Sequence, residues 1–171
     1  MATRRWLVLG FGLVLLSVLI WPHASAVPVA GATPGDWNSE SFWYEPWGAS
    51  GVHKGIDIFA PEGADVIASA PGLVVFSGTL PRGGEVLAVL SAGWRIHYYA
   101  HLSRRHVEPF DWVSGGEVIG AVGSTGNAQG KPAHLHFSVV SLVPYPWLAT
   151  AQTQGWKRMF FLDPNRVFRD A

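Results

Sequence analysis

From Gly55 to Val140 the sequence is a succession of short apolar runs, each closed by a turn signal, and this punctuation leaves little room for helices. Val66–Ala70 ends at Pro71-Gly72, Leu73–Ser77 leads to Pro81-Arg82-Gly83-Gly84, and Glu85–Leu90 is followed by Gly93. Trp94–Leu102, Val118–Val122 and the β-rich run Ala133–Val140 complete the series. Glycine reaches the backbone angles that tight turns need and proline cannot donate to a ladder, so both mark where strands stop. Runs of this length, without a helical period between them, predict a mostly β domain with an antiparallel sheet core and long loops. A short helix or loop is expected over Ala149–Trp156, ahead of a closing run Met159–Leu162.

Composition narrows the chemistry. The 171 residues suit one domain with a real core, and 49% hydrophobic residues exclude a disordered chain. There is no cysteine, so disulfides and thiolate metal sites are excluded and a bound transition metal must rely on His and carboxylates. Lys+Arg and Asp+Glu balance at 12 each, and the largest basic clusters are the pairs Arg104-Arg105 and Lys157-Arg158. Nucleic-acid binding needs a basic stripe, and none is present.

The first residues read as an export signal. Arg4 and Arg5 precede an uncharged run of 16 residues, Trp6–Trp21, and Ala24-Ser25-Ala26 offers the small residues that a signal peptidase inspects. A bilayer span usually takes ~20 apolar residues, so the run is short for a membrane helix. Residues 1–26 are therefore expected to be a signal peptide or, uncleaved, an N-terminal membrane anchor; Thr3-Arg4-Arg5-Trp6 also hints at a twin-arginine signal. Either way the remainder is expected outside the cytoplasm. Residues 27–47, with Pro28, Gly31, Pro34 and Gly35, are expected to be a mobile lead-in to a domain over 48–171. Trp37, Phe42, Trp43, Tyr44 and Trp47 are expected to pack against one side of that domain or to wall a substrate groove.

Three elements carry the chemistry: His53-Lys54-Gly55-Ile56-Asp57, the lone His101 in Tyr98-Tyr99-Ala100-His101-Leu102, and His134-Leu135-His136. On a strand, residues i and i+2 project from one face, so His134 and His136 can approach a single ion. The same alternation is expected to place His97, Tyr99 and His101 on one face of their strand. Gly55 is expected to allow a tight turn that brings Asp57 beside His53. Two imidazoles and a carboxylate match the three protein ligands of a catalytic zinc site, with further histidines left for acid–base work. No His is followed by Glu, so the His-Glu-x-x-His motif is absent. Spacing alone does not say which of His134 and His136 touches the metal. His97 is expected to pack across strands or to line the groove, and His106 to lie in a loop.

These motifs resemble the lysostaphin-type family of zinc metallopeptidases, which cut peptide bonds in bacterial peptidoglycan. The resemblance runs from about Val52 to Val140. It includes His53–Pro61, Tyr99-Ala100-His101-Leu102-Ser103, Val118-Ile119-Gly120, Gly123–Ala128 and His134-Leu135-His136-Phe137. It implies an antiparallel sheet with a groove across it, one Zn²⁺ ion held by His53, Asp57 and His136, and His101 and His134 as catalytic histidines that do not bind the ion. The implied partner is a peptidoglycan peptide. Gly130-Lys131-Pro132-Ala133, Glu108-Pro109-Phe110-Asp111 and the tail beyond Ser141 depart from the family pattern. The rivals are a catalytically silent scaffold that activates another wall hydrolase and a zinc-storage module; the second normally exposes a His-rich tract, which this chain lacks.

Overall fold

A computed structural model describes residues 25–169. The candidate signal run Trp6–Trp21 lies outside the described residues. In the larger sheet β1 (Ile56–Phe59), β9 (His134–Ser141), β5 (Arg95–Leu102), β4 (Gly84–Ser91), β3 (Gly72–Leu80) and β7 (Trp112–Val113) lie side by side in that order. A further strand, β10 (Phe161–Leu162), pairs with β9 beyond the end of β1. The smaller sheet holds β2 (Asp65–Ile67), β8 (Val118–Ala121) and β6 (Arg104–Arg105), and every pairing in both sheets is antiparallel. The expected mostly β architecture is present.

Period-two alternation decides what the large sheet does with its two faces. On β1, Ile56 and Ile58 are fully buried, while Asp57 and Phe59 face a groove. On β9, Leu135, Phe137 and Val139 point into the core, whereas His134, His136 and Ser138 line the groove. Leu87, Val89 and Tyr99 join the core from the inner strands, and Val66 and Ile119 close it from the small sheet. Burying each such side chain contributes about 1.5–3 kcal/mol, so a one-residue slip of β9 would exchange core for site and is strongly opposed.

Two segments differ from expectation. Residues 27–47, expected to be a mobile lead-in, pack along the domain. Val29 bridges to Val66 and is buried, Ala26 N–H donates to Ser69 O at 2.8 Å, and Trp37 and Phe42 rest on the core. Pro34 and Gly35 form a one-turn 3-10 segment after Thr33, so these residues shape a bound strap. The chain also closes on a short helix, α1 (Pro164–Arg169), which the sequence reading did not foresee. Six residues are too few to display a helical period. The helix is fixed from outside, by Asp163 Oδ1 accepting from Asn165 N–H and by Phe168 stacking on Phe137 at 5.7 Å.

Candidate metal centre

Asp57 and His136 are cross-strand partners on β1 and β9, and His53 enters from the segment before β1. Three atoms converge: Asp57 Oδ1 lies 2.8 Å from His136 Nδ1 and 3.0 Å from His53 Nε2, and the two ring nitrogens are 3.1 Å apart. Among the described residues this trio is the group of His and carboxylate side chains close enough to share an ion.

Gly55 makes the trio possible, though not as expected. Its φ is not positive, so it supplies no left-handed turn. Instead a Cβ there would collide with the Phe137 carbonyl oxygen and the Ser138 side chain, so glycine is what lets the chain before β1 lie against β9.

The hydrogen bonds behind the trio test whether it suits a cation. His53 Nδ1 lies 3.1 Å from the Ser41 carbonyl oxygen. A carbonyl only accepts, so in the neutral ring Nδ1 carries the proton and Nε2 presents a lone pair to the site. That lone pair faces the Asp57 carboxylate, and two acceptors at this range repel unless a cation or a proton lies between them. His136 Nε2 is held 3.0 Å from Ser138 Oγ, which leaves Nδ1 turned to the trio. Burial works to raise the Asp57 pKa; where protons rather than a cation fill the gap, hydrogen bonds from His136 and His53 and their charge outweigh burial and hold this pKa far below its usual range. An anion, two imidazoles and no sulfur form a donor set that fits zinc.

His101 and His134 sit beside this trio. Their ring centroids are 5.1 Å apart, His101 lies 5.9 Å from His136, and His134 Nε2 is 3.9 Å from Asp57 Oδ2. Each has Nδ1 against a backbone carbonyl, Thr125 O at 2.9 Å for His101 and Pro132 O at 2.8 Å for His134. Both neutral rings therefore donate through Nδ1–H and keep Nε2 as a proton acceptor. Burial first, then the charge of His136 and His134, pushes the His101 pKa down to about 4, so His101 is neutral near pH 7.

The route by which His101 reaches the groove corrects the expected strand pattern. His97 and Tyr99 do share a face, but it is the core face: His97 packs 5.9 Å from Phe137, and the Tyr99 hydroxyl accepts from Ser69 N–H at 2.9 Å. Tyr98 and Ala100 face the groove, and strict alternation would send His101 inward. Between the pairs Leu87↔Tyr99 and Glu85↔Leu102, β5 has one residue more than β4, and His101 takes a left-handed φ of 66°. This β-bulge turns the imidazole to the groove. Thr125 clamps it, its Oγ1 donating to Leu102 O at 2.8 Å and accepting from Glu85 N–H at 2.9 Å.

All five histidine and aspartate residues singled out in the sequence line one groove of ≈ 880 Å³, together with Trp47 and Tyr98. The two expectations for the aromatic cluster divide between its members. Trp43 is buried and Trp37 and Phe42 pack on the core, whereas Trp47 stacks on His53 at 4.0 Å and 16°. Sequence reasoning passed over Ser41, Thr125 and Ser138. Ser138 was within reach, because it follows His136 by two residues on one strand and so shares its face.

An antiparallel sheet that presents a His-Asp-His trio and two further imidazoles in one groove defines a metallopeptidase-like site. The chain matches the family described as Peptidase family M23 over residues 51–144, more than half its length, and it belongs to that family. This is a family of zinc metallopeptidases, and zinc is the chain's cofactor. The chain is 31% identical over 153 residues to an L-Ala–D-Glu endopeptidase of Bacillus subtilis, covering 80% of this chain and 44% of that one. It is 35% identical over 105 residues to the murein hydrolase activator NlpD of Escherichia coli, covering 60% of this chain and 27% of the relative. It spans less than half the length of both. Among solved structures, the catalytic domain of lysostaphin from Staphylococcus simulans superposes with a TM-score of 0.57 at 28% identity, over 72% of this chain and 85% of that one. A zinc-containing peptidase from Vibrio cholerae gives 0.56 at 27%, over 68% and 36%.

Proposed function

We propose that the protein is an exported endopeptidase that hydrolyses peptide bonds in peptidoglycan, with His53, Asp57 and His136 holding one zinc ion and His101 and His134 moving protons. The observation that carries this reading is the convergence of Asp57 Oδ1, His53 Nε2 and His136 Nδ1 within 3.1 Å of one another, beside two histidines whose Nε2 atoms remain acceptors.

When bound, zinc supplies Lewis-acid polarisation of a carbonyl and a water whose pKa falls towards ~7. The protein supplies the rest. Ser41 O and Ser138 Oγ fix the rings of His53 and His136 so that their lone pairs stay aimed at the trio. One of His101 and His134 accepts the proton of the attacking water at Nε2, and the Nε2–H that this proton creates in the pair of rings then stabilises the oxyanion or protonates the leaving amine. Such groups typically contribute about 10²–10⁴-fold each. Their Nδ1–H bonds to Thr125 O and Pro132 O hold both rings without consuming the reactive nitrogen. No covalent acyl intermediate is needed, so no nucleophilic serine is required.

A second reading, a silent activator of another wall hydrolase, draws on the likeness to NlpD. The complete set of five histidine and aspartate residues favours the enzyme. The zinc-loaded protein incubated with intact sacculi, followed by mass spectrometry of released fragments, decides between them. New amino and carboxyl termini in the fragments support the peptidase. Fragments that appear only after a second hydrolase is added support the activator.

A further inference from the structure

Charge is sorted unevenly around the groove. Lys54, Arg82 and Lys131 line it, whereas Asp57 is the only carboxylate among the described residues that does, and Asp57 is paired with His53 and His136. Among the described residues the pair between an arginine or lysine and a carboxylate is Arg105–Glu85, so none of the three groove cations has an acidic partner. Lys54 Nζ donates to a backbone carbonyl, Ser50 O at 3.2 Å, which leaves its charge uncompensated. Glu45, next to the rim residue Pro46, is exposed and does not line the groove.

The three cations also sit on the elements that hold the reactive groups. Lys54 follows His53. Arg82 adjoins Gly83, whose carbonyl accepts from His101 N–H at 2.7 Å, and Arg82 O accepts from Asn127 N–H at 3.0 Å. Lys131 precedes Pro132, whose carbonyl fixes His134. Three separate segments of the chain thus bring a cation to the groove that holds the trio, Arg82 and Lys131 being exposed and Lys54 half-buried. Three cations around one groove, none with an acidic partner, complement an anionic ligand.

We propose that the groove selects peptides bearing free carboxylates beside the scissile bond, and that Arg82 and Lys131, with Lys54, are its specificity-determining residues. This rests on the peptidase reading and names the substrate class for it: stem peptides whose side or terminal carboxyls are unamidated. Guanidinium and ammonium groups recognise such carboxylates through charge-assisted hydrogen bonds, and an amide in the same place leaves the cation unpaired.

The test uses a matched pair of cross-linked stem-peptide dimers, one with free carboxylates and one with the same groups amidated, and dimers amidated at single positions. The zinc-loaded protein is expected to show a higher kcat/KM on the free form. Replacement of either cation, Arg82→Gln or Lys131→Gln, is expected to lower the ratio of kcat/KM between the free and amidated forms about tenfold, and rising salt is expected to erode it. Singly amidated dimers assign the carboxylate that each cation reads. Equal rates on the two forms, or a ratio unmoved in both variants, would overturn the proposal while leaving the peptidase reading intact. If neither dimer is cut, the peptidase reading fails and calorimetric binding of the uncut pair decides: tighter binding of the free form, weakened in both variants, supports the carboxylate-binding site, and equal binding removes it.

Discussion

The two halves of the site are built by opposite means. Asp57 and His136 face each other across β1 and β9 in unbroken register, each one step from a fully buried neighbour, so the same alternation that forms the core also forms the trio. His101 reaches the groove only because β5 breaks register, with a residue in left-handed φ held by Thr125. A non-glycine residue costs about 1–2 kcal/mol in that conformation, and such costs collect at functional sites. The His-Asp-His half is thus a by-product of good strand pairing, while the His101 half carries strain that only its surroundings sustain.

That contrast can be broken in graded ways. The largest effect is expected at the trio: Asp57→Ala should lose stoichiometric zinc, read by elemental analysis, and all measurable hydrolysis, because two protein donors are too few for tight binding. Next is His101→Gln, which should keep its zinc while hydrolysis falls on the order of 10²–10³-fold. Ser138→Ala removes the hydrogen bond behind His136 and should weaken zinc affinity about 10–100-fold in a chelator competition. The smallest effect sharpens the comparison itself. His101→Gly and His101→Ala should be equally inactive, yet the glycine variant should be the more stable by about 1 kcal/mol in denaturant unfolding, since glycine bears no cost at a φ of 66°. Equal stability of the two would remove the claim that the bulge is strained.

This difference also explains what could be read from the residues alone. The turns at Pro71-Gly72 and Pro81–Gly84 and the β-rich run at 133–140 mark strands because glycine and proline report backbone geometry directly. His134 and His136 were placed on one face by the two-residue period, and the fold keeps them there. His101 was assigned to the face of Tyr99 and His97 because a bulge of this kind is signalled by glycine, and histidine occupies the position. Gly55 was read for turn-forming freedom, although its role is close approach to a strand about eighty residues away, which local sequence does not encode. The strands at 104–105 and 112–113 are two residues long, too short to carry a pattern.

The proposed division of labour between ligand and proton carrier rests most directly on His134 and His136, two residues apart on one strand and both lining the groove. Elemental analysis of zinc in purified His134→Ala and His136→Ala, with hydrolysis measured on the same samples, tests it. The account predicts that His134→Ala retains close to one zinc per chain and loses most of its activity, because His53, Asp57 and His136 remain in place. His136→Ala should lose zinc and activity together. Zinc kept in His136→Ala and lost from His134→Ala would contradict the account.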